Sequence, residues 1–467
     1  MARTKAEDTH SRKSEEQYET MTQTPVRRLI LRLAVPTVIS MLVTNIYNLA
    51  DTAFVGRLGT SASGAVGIVF GFMAIIQAFG FLFGQGSGIL LARKLGEQDR
   101  EAANVIASTG FFCSLFAGFV IAILSAIFLN PLVMLLGSTE TIAPFARTYI
   151  FFILLATPVM TVSFTMNNIL RHEGKATLGT IGLMVGAVLN ICLDPILMFG
   201  LNLGIAGAGL STMISQYVSF FILLSMFLGG RTVSVLRIRL VCLKPALLGN
   251  IFTTGLPSLL RQGLNSAATV VLNTYAAGFG DEAVAALSIV SRIIFFVMAI
   301  AIGIGQGFQP VCSFNFGARR FERVRIGYRF TTLFSELVVV AGVIILLVWS
   351  GSLIALFRND PAVIEIGIRA LRIQSVALLT VPFCMNTEMT LQCAGRKVGA
   401  SLLSSMRSGL YFIPVIIILA YWRGLYGIEE AQAVTFVLSL ITAVPFAVHF
   451  FRKMGQMEAE SAKPSDP

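Results

Sequence analysis

The sequence predicts an all-α polytopic membrane protein: twelve transmembrane helices in two parallel six-helix repeats, an N-lobe and a C-lobe. Three observations carry this. Of 467 residues, 55% are hydrophobic and only 13% charged, about half the charged fraction of a soluble protein. Apolar runs long enough to cross a ~30 Å hydrocarbon core recur from Leu29 to Phe451. Finally, a shift of 221 positions lays the first half on the second, with Pro36 on Pro257, Gly59 on Gly280, Gly84-Gln85-Gly86 on Gly305-Gln306-Gly307, and Gly174 on Gly395. Duplication of an apolar chain is the signature of a transporter built from two related halves around a central site.

Breaks at glycine, proline and charge set the elements in order. Residues 1–26 are polar and charged and read as a disordered, solvated tail without a cleavable leader. The N-lobe, 27–229, carries spans at 29–55, 64–92, 102–129, 147–171, 176–199 and 205–229. A basic inter-lobe loop follows at 230–247. The C-lobe, 248–453, carries spans at 248–278, 283–314, 324–350, 373–394, 398–421 and 428–451, and 454–467 reads as a second solvated tail. Six spans per half is an even number, so both halves enter the membrane in one direction, related by a pseudo-two-fold axis along the membrane normal.

Loop charge orients the chain. One side holds Arg93, Lys94, Arg100, Arg171, Lys175, Arg231, Arg237, Arg239, Lys244, Arg319, Arg320 and Arg323, together with the residues flanking both termini; the other holds few cations. By the positive-inside rule both termini are cytoplasmic in a plasma (bacterial inner) membrane. The formal charge of +11 is mostly this topogenic signal, which removes any reason to expect a nucleic-acid partner. The cations at 230–247 read as the same signal, or as a site for anionic membrane lipid. The six cysteines show no C-x-x-C spacing and read as small buried thiols, with neither a metal site nor a disulfide framework.

A carboxylate within a membrane helix costs about 2.5–3.5 kcal/mol at the centre, so each needs a reason. Asp51 closes Asn45-Ile-Tyr-Asn-Leu-Ala-Asp, with Tyr47 and Asn48 one turn earlier on its face. Asn190 and Asp194 are four apart, on one face of their helix. At 1.5 Å per residue, Asp51 lies ~33 Å along the first span, Asp194 ~27 Å along the fifth, and Thr212 ~10 Å down the sixth. All land in one half of the bilayer, where two carboxylates, an amide oxygen and a hydroxyl make an oxygen-only cation site. Hard cations take such ligands, and paired carboxylates also exchange protons; Na⁺ and H⁺ both fit. Under the 221 shift Asp51 becomes Leu272 and Asp194 becomes Val415, so the cluster belongs to the first half alone. The second half instead carries Arg261, Asn273, Arg292, Gln306, Glu336, Glu388 and Arg407, either paired internally or facing substrate.

Pro36 and Pro257 sit at equivalent points of the first and seventh spans, where each removes a backbone hydrogen bond. They are hinge candidates or inherited packing. The Gly-Gln-Gly triplets read as close-packing positions; no Lys-Ser/Thr follows, so they are not phosphate loops.

Across about residues 27–453 the chain resembles the multidrug and toxic compound extrusion (MATE) family. The resemblance rests on Tyr47-Asn48-Leu49-Ala50-Asp51-Thr52, Val55-Gly56-Arg57-Leu58-Gly59, Leu170-Arg171-His172-Glu173-Gly174-Lys175, Gly204-Ile205-Ala206-Gly207-Ala208-Gly209, and Gly305-Gln306-Gly307-Phe308-Gln309-Pro310 leading to Phe314-Asn315-Phe316-Gly317-Ala318. The last looks like the bacterial MepA/DinF-like branch. The resemblance implies efflux of amphipathic, often cationic compounds by antiport against Na⁺ or H⁺, with no other cofactor, by a chain acting as a monomer. It carries the coupling site onto Asp51, Asn190, Asp194 and Thr212. Some relatives place coupling acids on helices 7 and 10; here helix 7 offers Arg261, and only Glu388 echoes that scheme. A lipid-linked oligosaccharide flippase of the same superfamily is the alternative. No nucleophile–base pair, metal motif or phosphate loop supports an enzyme, and duplicated spans argue against a receptor.

Overall fold

The computed structural model describes residues 14–461, and within them the regular structure is helical. A short helix α1 covers 14–23. It precedes α2 (Val26–Gly56), α3 (Thr60–Gly96), α4 (Arg100–Ile127), the short α5 (Leu129–Leu135), α6 (Ala143–His172), α7 (Ala176–Pro195) and α8 (Gly204–Leu228). The second half runs α9 (Pro245–Ala277), α10 (Asp281–Gly317), α11 (Phe321–Val348), the short α12 (Ser350–Phe357), α13 (Pro361–Leu378), α14 (Val381–Cys393), α15 (Lys397–Ser405), α16 (Phe412–Arg423) and α17 (Leu425–Ser461).

Helix bounds repeat at the sequence offset. Helices α3 and α10 begin and end 221 residues apart, as do α4 and α11; α2 and α9 end that far apart, and α7 and α15 begin so. Turns repeat too. Gly59 and Gly280 both have φ above +100°, and Gln98 and Arg319 share the left-handed region. The helices before them close on matching bonds, Asp99 N to Lys94 O at 2.9 Å and Arg320 N to Asn315 O at 2.8 Å, which satisfies otherwise orphaned carbonyls.

Ten of the described helical segments are long and apolar enough to cross a membrane. The expected seventh and tenth spans are not among them. Helix α9 carries Asn, Gln, Thr and Arg along its length. The expected 373–394 span starts earlier, at Pro361 behind an Asp360 cap, and breaks at 379–380 into α13 and α14. Pro382 lies in the first turn of α14, the place in a helix that tolerates a missing N–H.

Two compact units emerge. The first holds Ile39–Leu259 with the described residues before Pro25, the second Pro25–Val38 with the residues from Leu260 onward. The division therefore does not fall in the charged loop at 230–247. It cuts α2 and α9 at equivalent points, two residues beyond Pro36 and Pro257. Glycines explain where each cut segment seats. In the first unit a Cβ at Gly86 would overlap the Ile251 carbonyl of α9; in the second a Cβ at Gly307 would stand 2.5 Å from Ala34 Cα of α2. Gly84 likewise lies against Asn168 of α6, and Gly305 against Asn386 and Met389 of α14. The triplets are close-packing positions. Each unit has its own apolar core, around Phe72, Tyr149, Ile150 and Ile153 in the first and around Leu287, Val290, Leu371 and Ile416 in the second.

Both solvated tails need correction. Residues 1–13 and 462–467 lie outside the described residues. Gln17 of α1, however, donates from Nε2 to the Glu173 carbonyl at 2.6 Å, and Met21 is 1% exposed. Helix α17 continues to Ser461, with Met454 buried and Arg325 paired to Glu458 at 2.8 Å. Tertiary partners order segments whose composition alone reads as disorder. The thiols divide as well: Cys312, Cys384 and Cys393 are buried, Cys113 and Cys242 half-buried and Cys192 exposed, and all six are free.

Candidate functional site

Three helices of the first unit bring four polar side chains into one buried cluster. Asp51 comes from near the end of α2, Asn190 and Asp194 from α7, and Thr212 from α8. All four are at most 4% exposed. Asn190 Nδ2 donates to Asp194 Oδ1 at 3.3 Å, to Ser211 Oγ at 3.0 Å and to Thr212 Oγ1 at 3.4 Å, while Ser211 Oγ donates back to the Asn190 carbonyl at 3.2 Å. Pro195 ends α7 directly after Asp194, and the chain continues through a wide turn, Ile196–Gly200, with Leu201 N bonded to Ile196 O at 2.9 Å. A residue without N–H forces this local rewinding beside the carboxylate.

One member of the cluster was not anticipated from the sequence. Tyr149 of α6, 1% exposed, donates from Oη to Asp51 Oδ2 at 3.2 Å and stands 3.2 Å from Thr212 Oγ1. A continuous chain of hydrogen-bonding groups thus runs Asp51–Tyr149–Thr212–Asn190–Asp194. Tyr47 and Asn48, named with Asp51 from helical spacing, are half-buried, and neither side chain hydrogen-bonds to the cluster.

Chemistry follows from what is left unpartnered. Asp51 Oδ1, Asn190 Oδ1 and Asp194 Oδ2 are all buried with no hydrogen-bond partner. Each unmatched buried acceptor costs about 1–3 kcal/mol, more when charged. Carboxylate and amide oxygens are chemically able to take up a hard cation, and paired carboxylates to exchange protons. Among the described residues no three His, Cys, Asp or Glu side chains converge as ligands for a metal ion.

At the offset positions the second unit has Leu272, Ala370, Tyr411, Val415 and Ala433 in place of Asp51, Tyr149, Asn190, Asp194 and Thr212. All but Tyr411 belong to or pack on its apolar core. The polar groups of that unit lie elsewhere. Glu388, 1% exposed, accepts from Arg261 Nη1 at 2.9 Å and from Arg407 Nη2 at 3.2 Å. Gln306 is buried, Glu336 half-buried, and Arg292 and Asn273 are exposed. A further pair, Arg369 with Glu429, was also missed; it is bidentate at 2.6 and 2.8 Å, with the guanidinium 4.2 Å from the Tyr426 ring centroid.

The MatE family model matches this chain twice, over residues 36–196 and 257–422, the two matches starting at Pro36 and Pro257. The multidrug export protein MepA of Staphylococcus saprophyticus is 27% identical over 418 residues, covering 89% of this chain and 92% of that protein. MepA of Staphylococcus aureus strain N315 is 26% identical over 415 residues, covering 89% and 92%. In three dimensions the chain is similar to a multidrug resistance MATE transporter of the MOP superfamily in an outward-facing conformation. The TM-score there is 0.88 at 26% identity, covering 93% of this chain and 98% of that one. Two family matches spanning most of the chain, over a fold of apolar helices, place it in the MATE transporter family, in the MepA type.

Proposed function

We propose that this chain is a multidrug efflux pump of the plasma membrane that exchanges amphipathic, often cationic compounds for Na⁺ or H⁺. The observation that carries this is the hydrogen-bonded cluster Asp51–Tyr149–Thr212–Asn190–Asp194 in the first lobe, in which Asp51 Oδ1, Asn190 Oδ1 and Asp194 Oδ2 are each buried without a partner. Relatives named as multidrug export proteins over nearly their whole length support the cargo.

In this reading Asp51 and Asp194 take up the cation from outside, with Asn190 and Thr212 completing the set. Neutralising the carboxylates changes how α2 sits against α6 through Tyr149. The twelve spans act as two parallel six-helix lobes with both termini cytoplasmic, and Pro36 and Pro257 serve as hinges, because each lies two residues from the point where its helix passes from one unit to the other. The ion is then released inward and the compound captured for export. Each inward elementary charge contributes about 2.3 kcal/mol per 100 mV.

Ethidium efflux from cells lacking their own pumps tests the site. Asp51→Asn and Asp194→Asn should each abolish it at equal expression; unchanged efflux in both removes the assignment. Proteoliposomes given only a Na⁺ gradient or only a pH gradient then identify the ion.

A further inference from the structure

The segment joining α8 to α9 reads from its sequence as a basic inter-lobe loop, and hydrogen bonds tie it down at several points. The buried Glu173 carboxylate accepts Val233 N and Ser234 N, both at 2.9 Å, and the Ser234 hydroxyl. Beyond it the chain lies along α4: Val235 N donates to Asn104 Oδ1 at 3.0 Å, Ser108 Oγ donates to Val235 O at 3.0 Å, Arg237 N donates to Ser108 Oγ at 3.1 Å, and Cys242 N donates to Thr109 Oγ1 at 3.1 Å. Between these points a 3-10 turn, Ile238–Leu240, pairs Leu240 N with Arg237 O at 3.0 Å.

These bonds set the depth of the strap. Thr109 lies ~14 Å along α4 from Arg100. Helix α4 has 28 residues, or ~42 Å, against a hydrocarbon core of ~30 Å. With α4 centred on that core, its first ~6 Å lie outside it, and the strap's ties, from Asn104 to Thr109, cross the level at which headgroups give way to acyl chains. Backbone groups of Val235, Arg237, Leu240, Val241 and Cys242 are satisfied by α4 side chains and the strap's own turn, which lowers the cost of placing them at that level. Its side chains point outward in two kinds. Ile238 and Leu243 are 71% and 69% exposed, and Arg237, Arg239 and Lys244 beside them are exposed as well.

We infer that residues 235–244 form a seat for an anionic phospholipid, with Ile238 and Leu243 among its acyl chains and Arg237, Arg239 and Lys244 around its phosphate. Topogenic charge alone explains neither the two exposed aliphatic side chains among the cations nor a backbone tied to α4 at this level. The inference goes beyond the transport reading, and its test does not use efflux.

The purified full-length protein is titrated in detergent with phosphatidylglycerol, phosphatidylcholine or inorganic phosphate, and thermal unfolding is followed. Phosphatidylglycerol should raise the unfolding temperature well above phosphatidylcholine, and inorganic phosphate should not substitute for it. The R237Q/R239Q/K244Q variant should need on the order of a hundredfold more phosphatidylglycerol for the same shift. Equal response to both lipids, full replacement by inorganic phosphate, or an unchanged response in the triple variant overturns the assignment. Ile238→Trp in a chain whose two native tryptophans, Trp349 and Trp422, are replaced by Phe, reconstituted with acyl-brominated lipid, gives a second reading. Quenched indole fluorescence supports the seat, and an unquenched indole overturns it.

Discussion

Tyr149 Oη lies 3.2 Å from Asp51 Oδ2 and 3.2 Å from Thr212 Oγ1, so one phenol ties the end of α2 to α6 and α8. A hydrogen bond to a charged acceptor contributes about 1.5–3 kcal/mol. Tyr149→Phe keeps the ring in its apolar packing and removes only that bond. Efflux should fall roughly tenfold at equal expression, with the half-maximal coupling-ion concentration raised. Transport in proteoliposomes across an ion series measures this, and wild-type ion dependence in Tyr149→Phe would remove the phenol from the site.

Glu388 holds two guanidinium groups in the second unit, and the charges there do not balance. Removing the shared carboxylate strands both cations; removing Arg407 leaves a neutral Arg261–Glu388 pair. Glu388→Gln should therefore destabilise the protein by about 3–5 kcal/mol, the usual result of breaking a buried ion pair by deleting one partner, and Arg407→Met by much less. Unfolding temperatures in detergent report the contrast, and equal losses in the two variants would contradict it.

Much of this was legible because helical periodicity and membrane thickness are strong constraints on a sequence. Spacing of four put Asn190 and Asp194 on one face, and rise per residue put Asp51 and Thr212 at their depth; the structure brings these four together. Tyr149 carried no such signal. It is 98 positions from Asp51, and a lone tyrosine near the start of an apolar helix has no pattern pointing to a carboxylate. The unit boundaries were also illegible. Composition changes most at 230–247, but close approach at Gly86 and Gly307 decides which unit receives the first part of α9 and of α2. The charged, polar stretch 14–23 reads as solvated because its partner Glu173 is 156 positions away from Gln17 in sequence.

Glu173 follows α6, outside its membrane-spanning helix, and burial pushes its carboxyl above the usual range despite the Ser234 and Val233 donors, which pull it down. A carboxyl raised in the folded state contributes stability that is present at low pH and lost as the pH rises through its folded value. Glu173→Gln should abolish that component, flattening stability against pH from the ordinary glutamate range upward. It should also cost about 1–3 kcal/mol near neutrality, because an amide nitrogen would meet a backbone N–H in place of an acceptor. Thermal unfolding across a pH series checks both effects, and a parallel wild-type profile would refute the first.

Substitution of glycine by alanine separates close helix packing from mere helix propensity. At Gly249 of α9 and Gly67 of α3 an added Cβ meets nothing within 4 Å, so alanine should stabilise each helix by up to about 1 kcal/mol. At Gly86 the same methyl overlaps the Ile251 carbonyl, and at Gly307 it stands 2.5 Å from Ala34 Cα. Both neighbours are backbone and cannot rotate away, so the helices must part, at a cost of about 1–3 kcal/mol or more. Gly86→Ala and Gly307→Ala should lower the yield of monodisperse protein and its unfolding temperature, while Gly249→Ala and Gly67→Ala leave both unchanged or improved. Equal behaviour of all four would mean that the seating of α9 on α3 and of α2 on α10 is looser than these distances require.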